Sequence, residues 1–123
     1  MRILIVEDED ILREQLVERL RAEGYAVDAT GSGKEGEYLG LEYPIDAAIV
    51  DLKMPGISGW EVTDHIKQVS PETFVIIHTG HGDMQQAIKA VRHRANDFLN
   101  KPCKLLDIQQ ALARALARVP APL

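Results

Sequence analysis

Residues 2–10 read RILIVEDED, an apolar run from Ile3 to Val6 that ends at once in four acids, Glu7, Asp8, Glu9 and Asp10. A short unbroken apolar run is the pattern of a strand buried on both faces of a parallel sheet. Working outward, β-like runs return at Ala26–Thr30, Ala47–Val50, Thr73–Thr79 and Asp97–Asn100. Helix-period stretches separate them. Leu12, Leu16 and Leu20 recur every fourth residue, with Gly24 as a stop signal. Ser32-x-x-Glu35 is a capping box opening a second, glycine-weakened helix that must end before Pro44. Ser58-x-x-Glu61 opens a third, with Val62, Ile66 and Val69 facing inward. Asp83 caps a fourth, whose apolar stripe is Met84, Ala87, Ile88 and Val91. Leu105, Ile108, Leu112, Ala115, Leu116 and Val119 mark a fifth. The pattern predicts an α/β fold: (βα)5, a doubly wound five-stranded parallel sheet of flavodoxin-like order 2-1-3-4-5.

The 123 residues suit one domain. A hydrophobic share of 46% and a charged share of 27% exclude a disordered or low-complexity chain. No apolar run is long enough to span a bilayer, and no signal peptide precedes the first strand. Cys103 is the single cysteine, so no internal disulfide forms, which fits a reducing cytoplasm. The net charge of −5 argues against a nucleic-acid-binding face.

In an open parallel sheet, ligands bind beyond the carboxyl ends of the strands, at the switch point between the first and third. The first strand ends in Glu7-Asp8, the third in Asp51, the fourth in Thr79-Gly80 and the fifth in Lys101-Pro102. Three carboxylates, a hydroxyl and an ammonium therefore converge on one edge. Close carboxylates repel one another unless a cation joins them. Oxygen-only ligands with positions left for water suit Mg²⁺. A carboxylate can accept a phosphoryl group as an acyl phosphate, and Lys101 could hold another phosphoryl oxygen. Thr79 is placed to donate a hydrogen bond to the product.

Other residues read more plainly. His78-x-x-His81, without a neighbouring cysteine or third histidine, is not a zinc pattern. His65 and His93 fall on predicted helix surfaces, and Trp60 is a packing or partner-facing residue. Arg114 and Arg118 alone make no DNA-binding surface. No Gly-x-x-x-x-Gly-Lys loop is present, so nucleotide hydrolysis has no support.

Four stretches together resemble the receiver domain of bacterial two-component response regulators: Ile5-Val6-Glu7-Asp8, Asp51-Leu52-Lys53-Met54-Pro55-Gly56, His78-Thr79-Gly80 and Asp97-Phe98-Leu99-Asn100-Lys101-Pro102. The resemblance implies that Asp51 is the phosphoacceptor. It implies that Glu7, Asp8 and Asp51 bind Mg²⁺ with the backbone carbonyl of Lys53, and that Lys101 contacts the phosphoryl group. It implies a switch in which Thr79 moves toward that group and Phe98 rotates inward, and a cis peptide before Pro102. A receiver domain over 1–118 is expected, with a proline-rich tail or linker at 119–123. The implied partners are a sensor histidine kinase, an output domain, often for transcription, and a second copy through the face formed by the fourth helix, fifth strand and fifth helix. A membrane or direct nucleic-acid partner is not implied.

Some positions depart from the family pattern. Glu7 stands for the commoner aspartate, Phe98 lacks a tyrosine's hydroxyl, Arg94 precedes Ala95 where glycine is usual, and Cys103 replaces a phenylalanine. The segment through Gly59 resembles the winged-helix class, and Thr79-Gly80-His81-Gly82-Asp83 the nitrogen-regulator class. A phosphorylation-independent binding module of the same fold is the main alternative. A flavin carrier would want a Ser/Thr/Gly-rich loop after the first strand. A haloacid-type phosphatase would want aspartate where Lys53 stands.

Overall fold

The computed structural model describes residues 1–80 and 84–117. Five strands alternate with five helices: β1 (Arg2–Val6), α1 (Asp10–Ala22), β2 (Ala26–Thr30), α2 (Gly33–Glu42), β3 (Ala47–Val50), α3 (Gly59–Val69), β4 (Phe74–Thr79), α4 (Met84–Arg92), β5 (Asp97–Asn100) and α5 (Leu105–Ala117). The sheet is parallel throughout, in the order β2-β1-β3-β4-β5 that the sequence predicts.

The apolar runs are unbroken because both faces of the sheet are covered. Along a strand, successive side chains point to opposite faces. Ile3, Ile5, Ala47, Ile49, Phe74 and Ile76 pack with Leu16 and Leu20 of α1 and with Ile108 and Leu112 of α5. Leu4, Val6, Ala48, Val50, Val75 and Ile77 form the other layer, with Val62 and Ile66 of α3. Every residue of β3 and β4 is buried, whereas no residue of the edge strand β5 is.

The serine N-caps form as expected: Glu35 N donates to Ser32 Oγ and Glu61 N to Ser58 Oγ, each at 3.3 Å. The glycines of α2, which read as weakness in the sequence, are its packing face. A Cβ on Gly36 would lie 2.6 Å from Val6 Cγ2, and one on Gly40 would lie 2.9 Å from Ile66 Cγ1. Gly36→Ala gains about 1 kcal/mol of helix propensity but must overpack this contact, which costs about 1–3 kcal/mol. The expected net is a loss of up to about 2 kcal/mol, read as a lower urea midpoint at unchanged slope.

Two expectations need correction, and α4 adds a finding of its own. β4 starts at Phe74, not Thr73, because Thr73 is held in the preceding turn: its N–H donates to Ser70 O and its Oγ1 to Ile45 O. In α3 the buried arc runs through Val62, Thr63, Ile66 and Lys67, which leaves Val69 at its margin and 62% exposed. Lys67 is buried in that last turn and donates to Thr73 O (2.7 Å), Asn96 Oδ1 (2.6 Å) and Pro71 O (3.2 Å). A buried ammonium is tolerable only with such partners, and these tie the end of α3 to the starts of β4 and β5. In α4 the apolar stripe does not face the core. Met84, Ile88 and Val91 are exposed, and Ala90 is the buried residue. The proposed cap Asp83, the Arg118 side chain and the tail at 119–123 lie outside the described residues.

Candidate functional site

The strand ends bring the site together through the sheet's own ladder. Glu7 N donates to Thr30 O and Asp51 N to Val6 O, each at 2.9 Å, so the acids after β1 and β3 become neighbours. Lys101 N donates to Thr79 O at 2.8 Å, which seats the lysine after β5 beside the end of β4. Glu7, Asp8 and Asp51 each offer a carboxylate oxygen, all within 4.8 Å of one another. Glu7 and Asp51 are buried and Asp8 is exposed, so the cluster has one open side. A cleft of about 260 Å³ lies there, lined by Asp8, Glu9, Asp51, Lys53, Gly80 and Lys101.

Lys101 supplies the local positive charge. Its Nζ lies 2.6 Å from Glu7 Oε1, 3.2 Å from Asp51 Oδ2 and 3.6 Å from Glu9 Oε1. The contact to Glu7 is a close ion pair rather than an aligned hydrogen bond. Burial pushes the Glu7 carboxyl up to about 7; Lys101 and the Glu9 N–H pull it back only in part, and Asp51 adds to the rise. Burial lowers the Lys101 ammonium, but Glu7 and Asp51 more than offset it, and its pKa is raised. Glu7 Oε2 accepts from Glu9 N at 3.2 Å, and Arg13 Nη1 donates to Glu7 O at 2.8 Å. These contacts fix the acidic turn.

Lys53 follows in the β3–α3 loop, and its N–H points at Asp51 Oδ1 over a long 3.5 Å. Thr79 is fully buried at the end of β4. Phe98 is partly buried, paired with Ile77 across the β4–β5 ladder and packed against the layer that holds α3. Lys101-Pro102 is a cis peptide, as the resemblance implies.

The family model of the response regulator receiver domain matches residues 3–113. The chain belongs to this family. Receiver domains recur among its relatives and structural neighbours. The two-component response regulator PhoP of Pseudomonas aeruginosa is 32% identical over 118 residues, 96% of this chain and 52% of that protein. A cyclic di-GMP phosphodiesterase of Thermotoga maritima is 35% identical, over 94% of this chain and 31% of that protein. The crystal structure of a receiver domain from Clostridium thermocellum superposes with a TM-score of 0.88 at 35% identity, covering 95% of this chain and 94% of that one. Several other relatives are named as transcriptional regulatory proteins. The receiver domain spans about half the length, or less, of the curated relatives it matches.

In the turn before β5, Arg94 takes the left-handed backbone that glycine adopts most readily, at φ 64°. Among the described helices, none is long and apolar enough to cross a membrane.

Sequence reasoning missed two groupings. Cys103, distant in sequence from His78, places its Sγ 3.3 Å from His78 Nε2, so a cysteine does adjoin this histidine. Burial and the Lys101 charge push His78 down to about 4, and burial raises the Cys103 thiol, so both groups are neutral at pH 7. His81 lies outside the described residues. The ring of Trp60 stacks on His93 at 4.8 Å, and His93 Nδ1 lies 2.6 Å from Asp64 Oδ1, joining α3 to the turn after α4. His65 does sit on a helix surface, where Glu37 at 2.8 Å raises its pKa. No periodicity signals such pairs, since each joins residues from different elements.

Proposed function

We propose that this receiver domain accepts a phosphoryl group on Asp51 from the phosphohistidine of a sensor histidine kinase. An Asp51 carboxylate oxygen forms the new O–P bond as the N–P bond breaks, and the imidazole leaves with that bond's electron pair. The observation that carries this reading is Asp51 itself, buried at a strand end, in reach of Lys101 and sharing an oxygen cluster with Glu7 and Asp8. That donor set is all oxygen, with one side open, and it fits Mg²⁺. When bound, Mg²⁺ would neutralise charge on the phosphoryl oxygens, held by Glu7, Asp8, Asp51 and the Lys53 carbonyl. Lys101 then exchanges a carboxylate partner for a phosphoryl oxygen.

Acetyl phosphate with Mg²⁺ should add a single phosphoryl group, located on Asp51 by peptide mass spectrometry. An unmodified protein under these conditions would sink the reading.

The phosphoryl group brings roughly −1.5 to −2 charges and three acceptor oxygens. It draws Thr79 and Lys101 inward and biases an existing two-state equilibrium. Phe98 follows Thr79 into the vacated space, driven by packing alone because it has no hydroxyl. The face of α4, β5 and α5 is the output and dimer surface in this reading. Met84, Ile88 and Val91 already present exposed apolar groups there. Beryllofluoride, a phosphoryl mimic, should therefore change amide exchange between Met84 and Ala117. Changes confined to the loops around Asp51 would refute the switch. Residues 119–123 would lead to an output module, for transcription in the commonest case, and the free Cys103 thiol suits a reducing cytoplasm.

A further inference from the structure

We propose that Gly59, the first residue of α3, is a positioning residue for the phosphoacceptor loop; this rests on the function proposed above. Its backbone lies outside the left-handed region, so its conformation suits any L-residue. Alanine there would be expected to stabilise the chain by reducing unfolded-state entropy. What requires glycine is space. A Cβ on Gly59 would lie 2.2 Å from the Asp51 carbonyl oxygen, 2.8 Å from Leu52 Cα and 2.9 Å from Asp51 C. All three are backbone atoms, and no rotamer change relieves the contact. Elsewhere Gly36 meets the Val6 side chain and Gly40 those of Ile66 and Leu4, while Gly33 meets Ile57 Cγ1 and the Ile57 carbonyl oxygen; among the described glycines only Gly59 meets the Asp51 backbone.

The surroundings decide where the displacement goes. Gly59 N donates to Leu52 O at 3.1 Å, and Thr63 Oγ1, fully buried, donates to Gly59 O at 2.8 Å. Ser58 caps the helix, and Val62 and Ile66 anchor it in the core. The start of α3 is thus held from four directions. Asp51 N is fixed to Val6 O. An added methyl must therefore turn the Asp51–Leu52 peptide by roughly 1 Å to restore ordinary contact, since close-packed interiors do not absorb such overlap. That peptide carries the Asp51 side chain on one side and leads to Lys53 on the other. The missing Cβ lets the helix start and the acceptor peptide touch, and this contact sets where the acceptor oxygen sits against Glu7, Asp8 and Lys101.

The test compares Gly59→Ala with Gly40→Ala, which also crowds the fold but against the Ile66 side chain rather than the loop. Both are assayed where circular dichroism shows native structure, by initial phosphorylation rate with acetyl phosphate and by Mg²⁺ dissociation constant from calorimetry. Misplacing a reacting group by about 1 Å can cost up to a hundredfold, so Gly59→Ala should phosphorylate about tenfold slower or worse and bind Mg²⁺ more weakly. Gly40→Ala should match the parent in both. A folded Gly59→Ala with parental rate and Mg²⁺ affinity overturns the proposal. So does a Gly59→Ala that stays unfolded where Gly40→Ala is native, because the glycine would then serve the fold and not the acceptor. If the parent itself takes no phosphoryl group, the function proposed above fails, and the Mg²⁺ comparison still decides whether Gly59 positions the carboxylates.

Discussion

Asp51→Asn should abolish phosphorylation by acetyl phosphate at residue 51. The amide keeps the size of the side chain but has no carboxylate oxygen to form an acyl phosphate. It also takes one charge from a cluster whose oxygens lie within 4.8 Å of one another. Lys101 would still be partnered, because it keeps its 2.6 Å contact to Glu7 Oε1 and its 3.6 Å approach to Glu9 Oε1. The variant should fold, so a lost signal reports chemistry and not collapse. Intact-mass spectrometry after acetyl phosphate and Mg²⁺ would show the parent gaining one phosphoryl group and the variant none. A label that persists on the variant, or maps in the parent to another residue, removes Asp51 from its role. A parent that gains no group but binds a partner unchanged by Asp51→Asn would favour the phosphorylation-independent module.

The second large effect is on stability and couples Mg²⁺ to pH. Mg²⁺ should raise the melting temperature, because it binds the folded acid cluster and the unfolded chain has no such cluster. At a hundredfold excess over the dissociation constant the linkage is about 2.7 kcal/mol, or roughly 10 °C for a domain of this size. Asp8 is the exposed member of the cluster, so Asp8→Ala disturbs no core packing yet should remove most of the shift. A parental Mg²⁺ shift in Asp8→Ala would place the ion elsewhere.

The pH dependence follows from Glu7, which burial raises to about 7 from 4.5. A raised carboxyl makes the folded state bind more protons than the unfolded chain. Its contribution is therefore full below pH 4.5 and is lost as pH rises through 7, on the order of a few kcal/mol. His78 has the opposite sign. Its pKa is depressed to about 4 from 6.5, so its contribution is full above 6.5 and is lost as pH falls toward 4. The two slopes oppose each other between pH 4.5 and 6.5. His78→Gln should unmask the Glu7 slope, giving a metal-free protein whose urea midpoint falls steadily from pH 4.5 to 7. Mg²⁺ must displace the Glu7 proton, because a metal ligand is deprotonated. Its affinity should rise about tenfold from pH 6 to 8 if Glu7 titrates near 7. A flat Mg²⁺ affinity over this range would show that the ion does not displace a proton from Glu7 near pH 7.

The strands and helices were legible in the sequence because their signals are local. Two-faced burial leaves unbroken apolar runs at Ile3 to Val6 and Ala47 to Val50, and capping residues sit beside the helices they start. The acids and Lys101 were legible for a related reason: each directly follows a strand, and a parallel sheet brings strand ends to one edge. Tertiary structure alone decided matters of distance between elements. The glycines of α2 and Gly59 look like weak helix formers until the neighbouring Val6, Ile66 and Asp51 backbone show what a Cβ would strike. The stripe of Met84, Ile88 and Val91 has the period of a buried face, yet period says only that a face exists, and the packing left it to solvent. The His78–Cys103 contact, the Trp60–His93–Asp64 chain and the buried Lys67 join residues that no local rule relates. So does the shift of Glu7 to about 7, since a carboxyl's pKa depends on what surrounds it in space and not on what adjoins it in the chain.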